Sequence, residues 1–227
     1  MIKRKLLELS RDILPPIFFR NVYSLYKSSK SKKVSSKLNE KNSSWYDKAF
    51  VGNKRYNAHY TVSHYYFLWT VIGLHLKRLM PGKILDIGCG PGQFAMFLKD
   101  FGIEDYTGLD FSQARVDKAK EIMPDTNFIK DDAFKSNYVS DKSFTILTCM
   151  EFLEHVNEDI RFIERINPNV HFIGTVPNFP YFSHVRHFNN EDEVAKRYSQ
   201  YFNNFDIITL KSDKEGQEYY LFFGDKN

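Results

Sequence analysis

Beyond residue 81 the chain alternates short apolar runs with longer amphipathic stretches, and that alternation predicts its architecture. Residues 83–89, 106–110, 127–130, 144–149 and 170–176 read as strands, and 93–101, 112–123 and 157–166 as helices. Apolar strands separated by helices imply a parallel sheet covered on both faces. The tail breaks the alternation. A helix over 189–202, capped at Asn189 or Asn190, precedes strands at 205–211 and 218–223, with no helix between them. The loop over 212–217 is of hairpin length, so the last strand should run antiparallel. The expected fold is α/β and Rossmann-like, a seven-stranded, mostly parallel sheet with an antiparallel last strand, helices on both faces, and an N-terminal helical extension.

Upstream, Tyr56, Tyr60, His64, Phe67 or Leu68, and Val71 recur every three to four residues. This spacing predicts one amphipathic helix running to about Leu79 and ended by Pro81-Gly82. The Ser/Lys-rich stretch 28–44 has almost nothing to bury, and 1–27 can form amphipathic helix around the Pro15-Pro16 break. Three parts follow: a basic arm and linker (1–44), an aromatic lid helix region (45–81), and the α/β domain (82–227).

Composition narrows the class. With 227 residues, 42% hydrophobic and 26% charged, the chain suits one soluble core. No apolar run approaches the roughly 20 residues of a membrane span. Glu8, Arg11 and Asp12 interrupt the stretch a signal peptide would need. Cys89 and Cys149 both fall in predicted strands, which fits buried thiols in a reducing cytoplasm. Charge is uneven. Residues 1–38 hold ten Lys or Arg against Glu8 and Asp12, a net +8, which leaves −4 on the rest of a +4 chain. Such an arm attracts an anionic partner, and peripheral contact at the inner membrane surface is one expectation.

Candidate chemistry begins at KILDIGCGPGQF (83–94), a strand, a glycine-rich turn and a helix. Glycines let the backbone turn tightly and let a ligand approach the main chain. Free N–H groups at the helix start favour an anion. Asp86, at the strand's end, would instead repel a pyrophosphate and accept hydrogen bonds from an ammonium. The run Asp86–Gly92 resembles motif I of the class I S-adenosylmethionine-dependent methyltransferases. YTGLDFS (106–112) resembles their second strand, KDDAF (130–134) the third, FTILTCMEFLEHV (144–156) the fourth and its turn, and FIGTVPN (172–178) the fifth. The resemblance implies a S-adenosylmethionine site formed by Asp86, Gly88, Cys89, Gly90, Gly92, Gln93, Phe94, Asp110, Phe111, Ser112, Asp132, Ala133 and Met150. In it, Asp110 would hold the ribose hydroxyls, Asp132 the adenine amino group and the Ala133 backbone a ring nitrogen. A Tyr hydroxyl of the lid, or Arg55, would reach the donor's carboxylate.

On the acceptor side, a helix beginning at Met150 would place Glu151, Glu154 and His155 on one face. Three readings stand together. His155 is a general base oriented by a carboxylate; or Glu151, Glu154 and His155, with His184, hold Mg²⁺ or another divalent ion; or the turn is structural. The Glu-x-x-Glu-His pattern is similar to that of quinone-biosynthesis and small-RNA 2′-O-methyltransferases. His184 and His187, in an aromatic loop after the fifth strand, overhang the acceptor pocket. The resemblance implies a cytoplasmic O-methyltransferase acting on a small polar acceptor, a saccharide, nucleotide-sugar or phosphoryl group of surface-polysaccharide (capsule or lipopolysaccharide) biosynthesis. A phosphoryl acceptor would suit Arg186. Alternatives are an RNA 2′-O-methyltransferase, disfavoured by the acidic body, and a non-catalytic cofactor-binding partner subunit.

Overall fold

The computed structural model describes residues 39–51, 53, 56 and 58–227. The expectations for the arm, for the helix around Pro15-Pro16 and for Arg55 lie outside the described residues. Seven strands form one sheet: β1 (Ile84–Ile87), β2 (Tyr106–Asp110), β3 (Asn127–Lys130), β4 (Ile146–Met150), β5 (His171–Pro177), β6 (Phe202–Lys211) and β7 (Glu218–Lys226). Their order is β3-β2-β1-β4-β5-β7-β6, and β7 runs antiparallel to both neighbours while β1 to β5 are parallel. The seven-stranded, mostly parallel sheet is the one the alternation predicts. The chain builds from β1 out to β3, then returns to the other side of β1 with β4. That reversal opens a crevice at the carboxyl ends of β1 and β4, where ligands of such sheets bind.

All four residues of β1 are buried, as a strand covered on both sides requires. Alternate side chains feed two cores. Leu85, Leu147, Phe172 and Phe222 pack on one face, and Ile84, Ile146, Ile173 and Leu221 on the other. The first face is closed by Phe162 of α5 (Asp159–Arg165) and by Val194 and Tyr198 of α6 (Glu191–Tyr198). The second is closed by Leu68, Ile72 and Leu76 of α2 (Tyr66–Leu79), by Phe97 and Leu98 of α3 (Gln93–Asp100), and by Val116 and Ala119 of α4 (Gln113–Ile122).

Three elements differ from expectation. The single helix from Tyr56 is instead a 3₁₀ turn, Tyr60–Val62, followed by α2. His59 accepts the Thr61 N–H, and the Ser63 hydroxyl accepts the Tyr65 N–H at 3.2 Å. These side-chain acceptors replace the helical bonds that a continuous helix would need. Second, a helix α1 (Ser43–Phe50) stands where the linker was expected to end, capped by Asn42, whose Oδ1 accepts the Trp45 N–H at 3.0 Å. Third, the helix over 189–202 stops at Tyr198 and passes through a 3₁₀ turn, Ser199–Tyr201. Phe202 already belongs to β6, buried and stacked on Phe172 at 4.9 Å.

Candidate active site

The strand ends of β1, β2 and β4 open into a cavity of about 1190 Å³. A pocket for one drug-sized ligand occupies roughly 300–1,000 Å³, so there is room here for two reactants. One end is the glycine-rich turn. Gly88 (φ 75°) and Gly90 (φ 58°) are left-handed, and a Cβ on Gly90 would meet nothing within 4 Å. That side of the turn is an open cradle against the main chain. Asp86 lies beneath it, buried, with Tyr106 Oη donating to Oδ2 at 2.6 Å and Thr148 Oγ1 to Oδ1 at 2.7 Å. Burial pushes its pKa up to about 7, against the pull of those two hydroxyls. Asp110 closes the cradle, accepting the N–H groups of Gly90 at 3.0 Å and Ser112 at 2.8 Å, with Arg115 at 3.8 Å. Burial raises its pKa too.

Phe111, Asp132 and Ala133 complete this end of the cavity, together with Cys89, Gln93, Phe94 and Met150. Asp132 is tied to the Phe134 N–H at 3.0 Å and to Lys135 at 3.2 Å. Two expected members stand elsewhere. Gly92 faces α4, where a Cβ would press on Phe128 at 3.1 Å and Ala119 at 3.2 Å. Ser112 is buried and receives the Arg115 N–H as the cap of α4. Open glycine backbone, a buried acid at the end of β2 and an apolar wall fit a nucleoside-like group bearing an amino acid, as S-adenosylmethionine does.

The far end holds the MEFLEHV turn. It does not become helical at Met150, which closes β4. Glu151 instead takes a left-handed conformation (φ 50°), and Leu153–His155 form a 3₁₀ turn. A non-glycine residue held there stores strain that clusters at functional sites. The N–H of Glu151 bonds Thr175 Oγ1 at 3.1 Å, and that hydroxyl donates back to Glu151 Oε1 at 3.2 Å. Glu154 is fully buried, and neither of its oxygens has a conventional hydrogen-bond donor among the described residues. The Glu151 carboxyl acts on it, and His155 Nε2 stands 3.7 Å from its Oε1. Burial raises the pKa of both carboxyls, that of Glu151 to about 8 against the pull of its hydrogen bonds to Thr175 and Glu154, while the Glu151 charge pushes Glu154 up further.

The two histidines are fixed in a matching state. His155 Nδ1 donates to Ser183 O at 3.0 Å and His184 Nδ1 to Phe179 O at 3.2 Å. Burial lowers their pKa values to about 4 and about 3, so both rings are neutral and both Nε2 atoms carry bare lone pairs. Ligand atoms of Glu154, His155 and His184 lie within 4.8 Å of one another. A backbone carbonyl on the second ring nitrogen is how metal-ligating histidines are commonly oriented. The donor set of two imidazoles and an unpartnered carboxylate fits a divalent cation. Glu151 lines the cavity but stands outside this group.

His187 does not line the cavity, so only His184 of the two loop histidines does. Arg186 corrects another expectation. Its guanidinium donates to the carbonyls of Leu153, Val156 and Asn157 and pairs with buried Asp159 at 3.2 Å. With its donors satisfied by the turn itself, it is not placed to receive a phosphoryl group. Its task is to clamp the 3₁₀ turn that carries Glu154 and His155.

Sequence reasoning missed α1, which covers the cavity. Asp47 accepts from Ser112 Oγ at 2.6 Å and the Ala114 N–H at 3.2 Å, directly beyond Asp110. Tyr46 meets Phe111 at 5.2 Å and His155 at 6.1 Å, bridging the two ends. The Arg115 guanidinium lies over Tyr46 at 4.8 Å and over Tyr56 at 5.2 Å. The only signal was Asn42 ahead of Trp45, Tyr46 and Phe50, too short for periodicity to register.

Comparison with known proteins agrees with this geometry. Residues 84–169 match the methyltransferase domain family. The chain is 33% identical over 90 residues to a ubiquinone biosynthesis O-methyltransferase of Rickettsia akari, covering 36% of this chain and 32% of that protein. It thus spans about a third of that relative's length. Among solved structures, a SAM dependent methyltransferase from Archaeoglobus fulgidus superposes with a TM-score of 0.54 at 18% identity, covering 71% of this chain and 100% of that one. The magnesium protoporphyrin IX methyltransferase of Synechocystis with bound SAH superposes with a TM-score of 0.54 at 15% identity, covering 72% and 84%. The fold is the one these solved methyltransferases share, and residues 84–169 carry the match to a methyltransferase domain.

Proposed function

We propose that this chain, built around a class I S-adenosylmethionine-dependent methyltransferase domain, transfers a methyl group to a hydroxyl oxygen of a ring-shaped acceptor. The observation that carries this reading is a single cavity running from the Gly88–Gly90 cradle to the Glu151–Glu154–His155–His184 group. S-adenosylmethionine, when bound, supplies a methyl group on a sulfonium and leaves as a neutral thioether. The protein's part is to hold, align and deprotonate. The glycine turn, Asp86, Asp110, Phe111, Asp132 and Ala133 hold the donor, so that alignment at contact distance lowers the barrier.

An attacking hydroxyl must lose its proton. Glu151, at the cavity wall with a pKa raised to about 8, accepts protons near neutral pH. His155 is a poorer base than the sequence suggested, because burial holds its pKa near 4. Glu154, His155 and His184 are better suited to hold a divalent cation beside the acceptor oxygen. Two imidazoles favour a first-row transition ion over Mg²⁺.

Aromatic walls support a ring-shaped acceptor. Trp45, Tyr65, Phe179, Tyr181, Phe182 and Tyr219 line the acceptor half. Such faces stack on the C–H faces of a sugar or on an aromatic ring. The finer reading is a saccharide or nucleotide-sugar hydroxyl of surface-polysaccharide biosynthesis, in the cytoplasm. A hydroxylated aromatic ring is the second reading, favoured by the relative named for ubiquinone biosynthesis. Labelled methyl transfer to nucleotide-sugars, phosphorylated saccharides, dihydric phenols and short RNAs, each with and without EDTA, separates them. We expect a saccharide to be labelled and EDTA to stop it; labelling of RNA alone sinks this reading.

A further inference from the structure

A second group of titratable side chains stands away from the cavity, at the amino end of β5. His171 opens that strand, Asp225 pairs with it across β7, and His75 reaches it from α2. Nε2 of His75 and Nε2 of His171 are 2.9 Å apart. His171 Nδ1 donates to Asp225 Oδ1 at 2.7 Å, and Asn204 Nδ2 donates to Asp225 Oδ2 at 2.9 Å. Phe223 packs on the His75 ring at 4.3 Å. Neither histidine lines the cavity, and the reaction proposed above makes no use of them.

The tautomers follow from these contacts. Asp225 holds the His171 proton on Nδ1, so Nε2 of His171 is bare and the His75 Nε2–H donates to it. His75 Nδ1 is then the other bare nitrogen, and no described residue engages it. Moving the His75 proton to Nδ1 leaves two lone pairs face to face, a state that is stable only with a cation between them. Burial, His171 and Arg78 lower the His75 pKa from 6.5 against the pull of Asp206, so above that pH the ring is neutral, as a metal ligand must be. Two nitrogens held by one ion at about 2.0–2.1 Å lie about 2.9 Å apart at a right angle and about 3.3 Å apart at the tetrahedral angle. The observed spacing matches the right angle, which suits Cu²⁺ and Ni²⁺ with nitrogen and oxygen ligands rather than Zn²⁺. A carboxylate on the second nitrogen orients a ligating histidine and raises its basicity, and Asp225 stands there. Both rings are half-buried, which lets them tilt toward one ion and lets water reach it.

We propose that His75 and His171 form a second metal site, for Cu²⁺ or Ni²⁺, with Asp225 orienting His171 and water filling the remaining positions. Asp206, which acts on His75 from β6, adds favourable charge, and Arg78 opposes it. The ion takes the place of the proton between the rings. That proton moves to His75 Nδ1 or is released, so binding strengthens as pH rises through 6.5. The site ties β5 to α2, whose other end carries Leu68 and Trp69 of the cavity wall. Binding here stiffens that wall without touching either reactant, and it does not depend on the proposed reaction.

The test is calorimetric titration of Ni²⁺ into the chelator-treated full chain at about pH 7.5, where His75 is neutral. His184→Ala, which disables the cavity group, should still take up Ni²⁺ and gain Tm from it. Adding His75→Gln keeps an amide N–H for His171 Nε2 but removes the ligand, and should weaken uptake by about tenfold or more. Adding Asp225→Asn instead should weaken it by about 10–100-fold, through His171 alone. With the cavity group intact, His75→Gln by itself should lose one bound Ni²⁺ and keep the parent's metal-free Tm. Unchanged affinity on adding His75→Gln overturns the proposal, as does the absence of Ni²⁺ uptake by His184→Ala. A parent that binds one Ni²⁺, lost in His75→Gln and kept in His184→Ala, supports this site and removes the cation from the cavity group.

Discussion

Glu154 is buried without a donor on either oxygen among the described residues, and an ionised carboxylate in that state is costly. It is tolerable only as a proton shared with Glu151 or as the ligand of a cation. Titration follows from the first case. Between pH 6.5, the ordinary pKa of histidine, and about 8, the folded protein holds protons on Glu151 and Glu154 that the unfolded chain has lost. The apo protein should therefore lose stability as pH rises through that window. Asp86, at about 7, adds to its lower half. His155 and His184 act with the opposite sign, since their depressed values make stability fall as pH drops from 6.5 toward 4. Thermal unfolding of Glu151→Gln from pH 7 to 8.5 should show a flatter decline than the parent; an unchanged slope counts against the shared proton. The second case is tested by adding Mn²⁺ or Zn²⁺ to chelator-treated protein. A rise in Tm is expected, and His184→Ala should abolish it. The sequence named these residues because their spacing clusters them. It could not show the left-handed Glu151 or the bare Nε2 atoms, which depend on Thr175 and on carbonyls of a loop 28 residues away from His155.

At the level of elements, two tie-points decide whether the site keeps its shape. α1 (Ser43–Phe50) is held to the start of α4 (Gln113–Ile122) by Asp47, which acts as a carboxylate at a helix N-terminus. Losing such a contact costs roughly 1 kcal/mol. Asp47→Ala should weaken donor binding several-fold in calorimetry with little change in Tm, because α1 covers Asp110 and Phe111 without belonging to the core. Arg186 is the other tie-point. Arg186→Met leaves three carbonyls and part of Asp159 without their donor, which should lower stability by about 3 kcal/mol in denaturant unfolding. An effect below 1 kcal/mol would remove the clamp from the account. Strands and long helices were legible because period and burial agree along them. α1, the break before Tyr66 and the 3₁₀ turn at Leu153 were not, because each is decided by a cap or a side-chain acceptor within a few residues.

For the whole molecule, the legible part was the part that topology dictates. A parallel sheet that reverses beside β1 puts its acids at one edge, and Asp86, Asp110, Asp132 and Glu151 all line the cavity there. What the sequence left open was which groups of the acceptor half face the cavity. The structure puts Glu151, His155 and His184 there, buries Glu154 behind them, and leaves His187 outside. The central claim is that two separable halves of one cavity hold donor and acceptor. Its most direct test measures donor affinity and methyl transfer side by side in Glu151→Gln and Asp110→Ala. Glu151→Gln should bind S-adenosylmethionine as the parent does and lose turnover by about 10²–10⁴-fold. Asp110→Ala should lose donor affinity by tenfold or more. Full turnover in Glu151→Gln would contradict the account.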